Sequence, residues 1–196
     1  QNAFLDSERQ AEIRQMLRDP GRPMFNRAIR AEIPPGSAFK PAVAYTALRE
    51  KKILANTALE CPGRYLLGRT AFRCWKADGH GPQTVAEALE HSCNVFFYQV
   101  GRRLGAEGIA RAARLFHLGQ PTGIDLPREA KGLVPDPDWM RQRRRKRWQE
   151  GDTVSYAIGQ GPLQATPLQM LALFTAIGKN GAFPRPHLLR SVEQEG

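Results

Sequence analysis

The stretch Pro34-Pro35-Gly36-Ser37-Ala38-Phe39-Lys40-Pro41 joins a tight turn to an apolar segment at residues 39–48, and the rest of the chain is interpreted from it. A serine three residues before a lysine at the start of a helix places both side chains on one face, so the lysine amine can accept the hydroxyl proton. The free N–H groups of the first helical turn can stabilise an oxyanion beside that hydroxyl. The spacing predicts a nucleophile, Ser37, with its base, Lys40. A helix cap followed by a solvated lysine is the other interpretation of the same pattern.

A second short motif, Ser92-Cys93-Asn94, lies farther along the chain between two helical segments. Before it, Thr84 and Glu87 have the spacing of a capping box, which predicts the start of a helix. After it, the apolar pattern predicts a helix at residues 95–104. Ser-x-x-Lys and Ser-x-Asn occur together in enzymes that form an acyl ester on serine. A nucleophile, a base and an orienting polar pair would then converge from two segments, as covalent catalysis requires.

Further short segments follow in an order that makes the pattern specific. They are Asn26-Arg27-Ala28, Trp75-Lys76, Gly79-His80-Gly81, Phe97-Tyr98-Gln99, Thr122-Gly123-Ile124-Asp125-Leu126, Gly151-Asp152-Thr153, Ile158-Gly159-Gln160-Gly161 and Ala165-Thr166-Pro167-Leu168-Gln169. Together with the two serine motifs, they closely resemble the transpeptidase domain of the penicillin-binding protein 2 family, the class B enzymes of rod-shaped bacterial growth. The resemblance runs over about residues 4–189, nearly the whole chain.

The resemblance implies a serine-type D,D-transpeptidase that cross-links peptidoglycan and is a target of β-lactams. Ser37 would be the acylated nucleophile that attacks the D-Ala–D-Ala bond of a stem pentapeptide, and Lys40 the general base. Ser92 would relay a proton to the leaving amine, and Asn94 would hydrogen-bond both Lys40 and the substrate amide. Peptidoglycan stem peptides and β-lactams would be the ligands, with no organic cofactor.

The same resemblance implies a role in cell-wall elongation and the maintenance of rod shape. The full-length protein would be anchored at the periplasmic face of the bacterial inner membrane, and its partners would be membrane-bound proteins of the elongation machinery. In the chain itself, no apolar run is long enough to form a membrane-spanning helix.

The chain departs from the family pattern in one respect. No Lys-Thr-Gly or Lys-Ser-Gly occurs, and the nearest approach, Gly178-Lys179-Asn180-Gly181, has the pattern of a helix-ending turn. In the family, that third motif lies on a sheet strand, holds the substrate carboxylate and supplies an oxyanion-hole N–H. We therefore expect residues 1–196 to be a partial transpeptidase domain, inactive by itself, without the membrane anchor and N-terminal module of the family.

The expected fold is mainly α with little β. It would be the helical part of an α+β transpeptidase domain like that of penicillin-binding proteins and serine β-lactamases, with most of the central sheet missing. Besides the helices already described, the sequence predicts one that begins at Asp6 or Ser7, one at residues 107–118, and one capped by Thr166 that continues through residues 167–177.

All three cysteines of the chain and one histidine form a candidate metal site. Cys61, Cys74, His80 and Cys93 are separated by 12, 5 and 12 intervening residues. Three thiolates and an imidazole suit a closed tetrahedral zinc site, which would organise the otherwise irregular segment 54–82 and the loop of the Ser-x-Asn motif. The alternative is a disulfide between Cys61 and Cys74 with a buried free Cys93, as an extracytoplasmic compartment would allow. The family resemblance adds that some relatives have a metal site here with Asp in place of some cysteines.

The chain is strongly basic, with 29 Lys and Arg against 19 Asp and Glu and a net charge of +10. Much of this excess lies in Arg141-Gln142-Arg143-Arg144-Arg145-Lys146-Arg147-Trp148. Such a run suits a nucleic-acid or anionic-polymer binding module without catalysis, which is the alternative function. The family also looks Lys/Arg-rich in this segment, which favours a solvated or substrate-facing loop and no nucleic-acid partner.

Overall fold

The computed structural model describes residues 10–191 of the chain, and helices dominate them. The helices are α1 (Gln10–Arg18), α2 (Arg27–Arg30), α3 (Lys40–Arg49), α4 (Val85–Glu90), α5 (Asn94–Leu115), α6 (Pro137–Arg144), α7 (Glu150–Tyr156) and α8 (Pro167–Gly178). The strands are β1 (Leu59–Cys61), β2 (Arg64–Leu67), β3 (Thr70–Arg73) and β4 (Gly81–Gln83). A one-turn 3-10 helix, Gly36–Phe39, leads into α3. The expectation of a mainly α fold with little β is confirmed.

Helix α5 is the centre of the core and packs chiefly against α3 and α7. Its completely buried large side chains are Phe96, Phe97, Val100 and Ile109. A helix that is apolar on most of its faces has to lie inside the molecule. Gly105 has φ 71° and ψ 172°, so it kinks α5 at the boundary between the two helices that the sequence predicts there.

Residues 54–82, which look irregular in the sequence, contain most of two antiparallel hairpin-like pairs. Strand β1 pairs with β4 and strand β2 pairs with β3, so the second pair lies within the connection between the first two strands. Each strand has only three or four residues, too few to show an alternating pattern. The prediction that the whole segment is irregular is therefore wrong. The described residues contain no sheet larger than these two pairs.

Helix α8 begins and ends as the sequence predicts. Thr166 forms a capping box with Gln169, and Lys179 follows the last helical residue. The buried Gln169 side chain also donates hydrogen bonds of 2.8 Å to the backbone oxygens of Gln120 and Lys131, so it ties the long loop before α6 to α8.

Three short helices, α2, α6 and α7, were not predicted. α6 has an Asp136 cap and Pro137 in its first turn, but its polar composition hides the helical period. α7 contains Gly151 and Thr153, which are poor helix formers. The predicted helix start at Asp6 or Ser7 lies outside the described residues. Within residues 10–191, no helix combines the length and hydrophobicity needed to cross a bilayer.

The contact between α5 and α7 provides a test of the packing. An added Cβ at Gly101 would lie 2.3 Å from the Cβ of Ala157, whereas one at Gly178 would meet nothing within 4 Å. We expect Gly101→Ala to lower the free energy of unfolding by about 1–3 kcal/mol because it overpacks the core. The control Gly178→Ala should leave stability within about 0.5 kcal/mol of wild type or raise it slightly. Urea unfolding measures both, and equal stability of the two variants would contradict this packing.

Candidate functional site

Ser37 is exposed and lies in the 3-10 turn before α3. The N–H of Gly36 donates to the backbone oxygen of Gly159 at 2.9 Å, and Gly36 has φ 58°. On the other side of Ser37, the fully buried Phe39 stacks on Tyr156 with ring centroids 6.2 Å apart. The turn is thus held at both ends. In the described part of the chain, the Ser37 hydroxyl has no hydrogen-bond partner.

Gly159 allows this close approach to the turn that carries Ser37. Its φ is +70°, and a Cβ on it would lie 2.2 Å from the backbone oxygen of Gly36. Only glycine fits such a position without displacing the turn. The segment Ile158-Gly159-Gln160-Gly161 is therefore a neighbour of Ser37 in space, although it is far from it in sequence.

Lys40 is buried, with 1% of its surface exposed, and its Nζ points toward the Ser-x-Asn motif. Nζ donates to the backbone oxygen of Ser92 at 2.7 Å and to Asn94 Oδ1 at 2.7 Å, and it lies 3.0 Å from Ser92 Oγ. It is also 5.5 Å from the centre of the Phe97 ring. Lys40 therefore joins the Ser-x-x-Lys motif to the Ser-x-Asn motif. Within residues 10–191, Lys40 forms no direct hydrogen bond with Ser37.

Burial lowers the pKa of Lys40 to about 8, although the nearby Cys93 and Cys74 oppose this shift. A charged lysine in a poorly solvated position loses hydration, and its neutral form is favoured. A neutral amine has a lone pair, which can accept the Ser92 hydroxyl proton across the 3.0 Å contact. Lys40 is thus close to the condition in which an amine can act as a base.

The Ser-x-Asn motif forms the junction between α4 and α5. Ser92 has φ 48°, in the left-handed region that serine rarely occupies. The next residue, Cys93, caps α5, because its Sγ accepts the N–H of Phe96 at 3.4 Å. Asn94 is then the first residue of α5. The direction of both polar side chains depends on how Cys93 is held.

Cys61, Cys74, His80 and Cys93 come together as a cluster whose ligand atoms all lie within 4.8 Å of one another. His80 Nδ1 is 3.5 Å from the Sγ of Cys61 and 3.6 Å from that of Cys74. Four ligands at about 2.0–2.3 Å from a zinc ion in tetrahedral geometry are about 3.3–3.8 Å apart. The three cysteines are buried and free, and no disulfide joins Cys61 to Cys74 in the described chain.

The surroundings favour the metal-binding forms of Cys74 and His80 but the protonated thiol of Cys93. Burial acts to raise the pKa of Cys74, but hydrogen bonds from the backbone N–H groups of Val95, Lys76 and Asn94 outweigh it, so the pKa is lowered. Burial lowers the pKa of His80, which favours the neutral imidazole. Burial raises the pKa of Cys93 to about 12. Among the cluster's own groups, only His80 Nε2 is a buried nitrogen without a partner.

Two glycines permit the approach of the loops that carry the cluster. Gly63 and Gly79 have φ of +83° and +81°, and a Cβ on either would lie about 2 Å from a backbone oxygen of the facing loop. The backbone N–H of His80 donates to the Cys61 oxygen at 2.9 Å, and that of Cys74 donates to the Gly63 oxygen at 2.8 Å. The cluster therefore lies on a hydrogen-bonded scaffold.

A second set of residues connects this scaffold to the Ser-x-Asn motif, and the sequence did not reveal it. Gln83 Oε1 is 2.7 Å from His91 Nδ1, and the Trp75 Nε1–H donates to the His91 oxygen at 3.0 Å. The His91 ring stacks on His80 with centroids 5.6 Å apart. His91 precedes Ser92, so these contacts brace the motif from outside. The only sequence signal for this role of His91 was its position immediately before Ser92.

Comparison with known proteins extends over nearly the whole chain. The family described as "Penicillin binding protein transpeptidase domain" matches residues 3–195. The peptidoglycan D,D-transpeptidase MrdA of Haemophilus influenzae is 35% identical over 194 residues, which are 98% of this chain and 30% of that protein. The chain thus spans about 30% of the length of the curated relatives that it matches first.

Solved structures agree with this comparison. The penicillin-binding protein PBP2 of Pseudomonas aeruginosa, in complex with WCK 5153, superposes with a TM-score of 0.87 at 32% identity, covering 93% of this chain and 42% of that one. PBP2 of Helicobacter pylori, in complex with MreC, gives a TM-score of 0.86 at 37% identity, covering 91% of this chain and 33% of that one.

The buried amine of Lys40 provides a test of the site. Because its folded pKa is about 8 and its usual value 10.5, the unfolded chain binds more protons between these two pH values. Lys40 should therefore add a rise of up to about 1.4 kcal/mol per pH unit to the free energy of unfolding in this window, which the raised pKa of Cys93 opposes, and Lys40→Met should remove that added rise. The control Lys52→Met removes an exposed lysine and should keep the wild-type slope. Urea unfolding from pH 7 to 10 measures the slopes, and parallel curves for Lys40→Met and wild type would contradict the assignment.

Proposed function

The chain belongs to the penicillin-binding protein transpeptidase family, and on that premise we propose that the whole protein is a serine-type peptidoglycan D,D-transpeptidase. The observation that carries the proposal is the contact of the buried Lys40 amine with Ser92 and Asn94 beside the exposed Ser37. The nucleophile, Ser37, has to reach the substrate and is exposed to solvent. The base, Lys40, has to lose its proton and is buried away from solvent. The non-catalytic nucleic-acid module is not favoured, because it leaves this arrangement without a use.

The first chemical step is acylation of Ser37. Its Oγ attacks the carbonyl carbon of the D-Ala–D-Ala peptide bond, and Lys40 in its neutral form takes the hydroxyl proton. The tetrahedral intermediate collapses to an ester on Ser37 as the C–N bond breaks. The leaving D-Ala amine receives a proton by way of Ser92, whose Oγ lies 3.0 Å from Lys40 Nζ. A β-lactam would follow the same route, but its amine stays attached to the acyl group.

The second step transfers the acyl group. The amine of a second stem peptide attacks the ester, its proton passes to the Ser92–Lys40 pair, and Ser37 recovers its own proton as the C–O bond breaks. Asn94 holds Lys40 through its Oδ1 at 2.7 Å, and its amide N–H₂ is left to donate to a substrate carbonyl. The two steps together exchange one peptide bond for another, without an external energy source.

The proposed place of action follows from the relatives. The H. pylori relative was solved as a complex with MreC. By analogy, the whole protein would act with membrane-bound elongation proteins at the periplasmic face of the inner membrane, in cell-wall elongation and the maintenance of rod shape. Its ligands would be stem peptides and β-lactams.

Ser37 acylation is tested with a fluorescent penicillin. We expect a longer form of the protein that includes the family's third motif to be labelled, and Ser37→Ala to abolish labelling. The 196-residue chain contains no Lys-Thr-Gly and should stay unlabelled in the time that labels the longer form, because loss of one oxyanion donor alone slows acylation about 10²–10³-fold. Labelling kinetics read from gel fluorescence measure this, with Ser155→Ala as a control outside the site. If the longer form stays unlabelled, or Ser37→Ala is still labelled, the transpeptidase assignment fails.

We infer further that Cys61, Cys74, His80 and Cys93 hold a structural zinc ion. Their ligand atoms already lie within 4.8 Å of one another, and His80 presents Nδ1 to two of the thiols. When bound, zinc with four protein ligands has no open position and supplies structural stability rather than catalysis. The protein residues do the rest: Cys93 caps α5 beside Ser92 and Asn94, and the N–H of His80 holds the end of β1 through the Cys61 oxygen.

Metal content tests this site. Mass spectrometry should find about one zinc per chain in wild type and in the control His187→Ala, an exposed histidine outside the cluster. Cys93→Ala and His80→Ala should each lose most of it, because a structural site needs all four ligands. Thiol titration in denaturant with a chelator should then give three reactive thiols per wild-type chain. One reactive thiol and no zinc would instead establish the Cys61–Cys74 disulfide.

A further inference from the structure

A cavity of about 910 Å³ opens between the end of α6 and the start of α7. We call it the basic groove, and its walls include Trp139, Arg144, Lys146, Arg147, Asp152 and Gly161. None of these residues belongs to the catalytic arrangement or to the cysteine cluster. The groove therefore has no role in the chemistry derived above.

The charges of the groove are unbalanced. Arg144, Lys146 and Arg147 are exposed, and none of them forms an ion pair within residues 10–191. The guanidinium of Arg144 lies 5.7 Å from the centre of the Trp139 ring. The only acidic lining residue is Asp152, whose carboxylate already accepts the N–H of Gln149 at 2.8 Å as part of the α7 cap. Three cations and one carboxylate thus line the groove, which leaves its lining with an excess of positive charge.

The wall that carries these cations is held in place. Arg145 has φ 54° and ends α6 in a left-handed cap. Beyond it, the Trp148 Nε1–H donates to Thr153 Oγ1 at 2.8 Å, and the Trp148 ring lies 5.6 Å from that of Tyr156. A merely solvated basic loop needs no such anchors. The segment that the sequence suggested to be solvated or substrate-facing is thus positioned by α7.

The basic groove is connected to the nucleophile through a single turn of the chain. Gly161 lines the groove, and Gly159, two residues before it, contacts Gly36 next to Ser37. One turn of the chain thus borders the groove and also contacts the turn that carries Ser37.

We propose that the basic groove binds the carboxylate-bearing stem peptide of a peptidoglycan strand and guides it to Ser37, an inference that rests on the proposed transpeptidase function. Stem peptides carry free carboxylates, and guanidinium groups bind carboxylates with paired hydrogen bonds. The Trp139 ring offers an apolar face for the rest of the ligand. Nucleic acid fits less well, because single strands require a series of aromatic platforms and the groove has one.

The test compares two triple variants with equal loss of charge. The groove triple is Arg144→Gln with Lys146→Gln and Arg147→Gln. The hairpin triple is Arg64→Gln with Arg69→Gln and Arg73→Gln, three exposed arginines on β2, β3 and their turn. Fluorescence anisotropy measures the affinity of the 196-residue chain for a labelled disaccharide pentapeptide and for the same compound with amidated carboxylates.

The groove triple should bind the disaccharide pentapeptide at least about tenfold more weakly than wild type, and the hairpin triple less than about twofold. Amidation of the probe should weaken wild-type binding by a similar factor. Equal losses in the two triples would overturn the proposal, because attraction would then come from net charge alone. No saturable binding to wild type, or equal binding of the amidated probe, would also overturn it.

Two further probes separate other anionic partners. A twenty-nucleotide oligothymidylate or a phosphatidylglycerol vesicle that binds more tightly than the disaccharide pentapeptide, and loses binding in the groove triple alone, would overturn the proposal in favour of nucleic acid or membrane. Penicillin labelling of Ser37 in the longer protein reports on the transpeptidase separately. If the groove triple is still labelled but has lost its affinity for the disaccharide pentapeptide, the result supports the proposed binding role of the groove. If the wild-type protein is not labelled, the transpeptidase function is wrong, whatever the groove binds.

Discussion

The buried amine of Lys40 is the interaction on which the other features of the site depend. Removing an ammonium group from water costs several kcal/mol unless other groups take over its hydration. Ser92 and Asn94 provide that replacement with two close oxygens and a hydroxyl. The start of α3 and the junction of α4 with α5 are thereby joined, and Ser37 is placed at the exposed end of the same arrangement. The requirement to solvate one side chain thus assembles residues from two distant segments.

The junction that receives Lys40 is strained and needs support from its other side. Ser92 has a left-handed backbone conformation that costs of order 1 kcal/mol or more for a non-glycine residue. Cys93 turns inward from this position to cap α5 and to join the cluster of thiols and imidazole. His91 on the preceding position is held by Gln83 and Trp75. The contacts of Lys40 and the cluster of thiols and imidazole therefore share one short turn, and a change in either must affect the other.

Local signals predicted the elements that carry strong helical patterns or caps. Helices α3 and α8 begin and end close to their predicted positions, and Gly105 marks the predicted break in α5. The strands within residues 54–82 were not predicted, because strands of three or four residues are stabilised by their partner strands rather than by a pattern of their own. Helices α6 and α7 were not predicted from the sequence, because they contain polar or poorly helix-forming residues whose effect is compensated by caps and by packing.

By itself, the sequence determined the family, the serine and lysine at helical spacing, the Ser-x-Asn motif and the set of three cysteines and one histidine proposed as metal ligands. These follow from residue type and short spacing, which local chemistry constrains. Only the tertiary structure decided that Lys40 hydrogen-bonds Ser92 rather than Ser37, that His91 braces the motif, and that the basic run borders a groove whose lining residue Gly161 lies two residues from Gly159. Such contacts join residues far apart in the chain, and they are selected by burial and close packing of the whole fold, which no local pattern records.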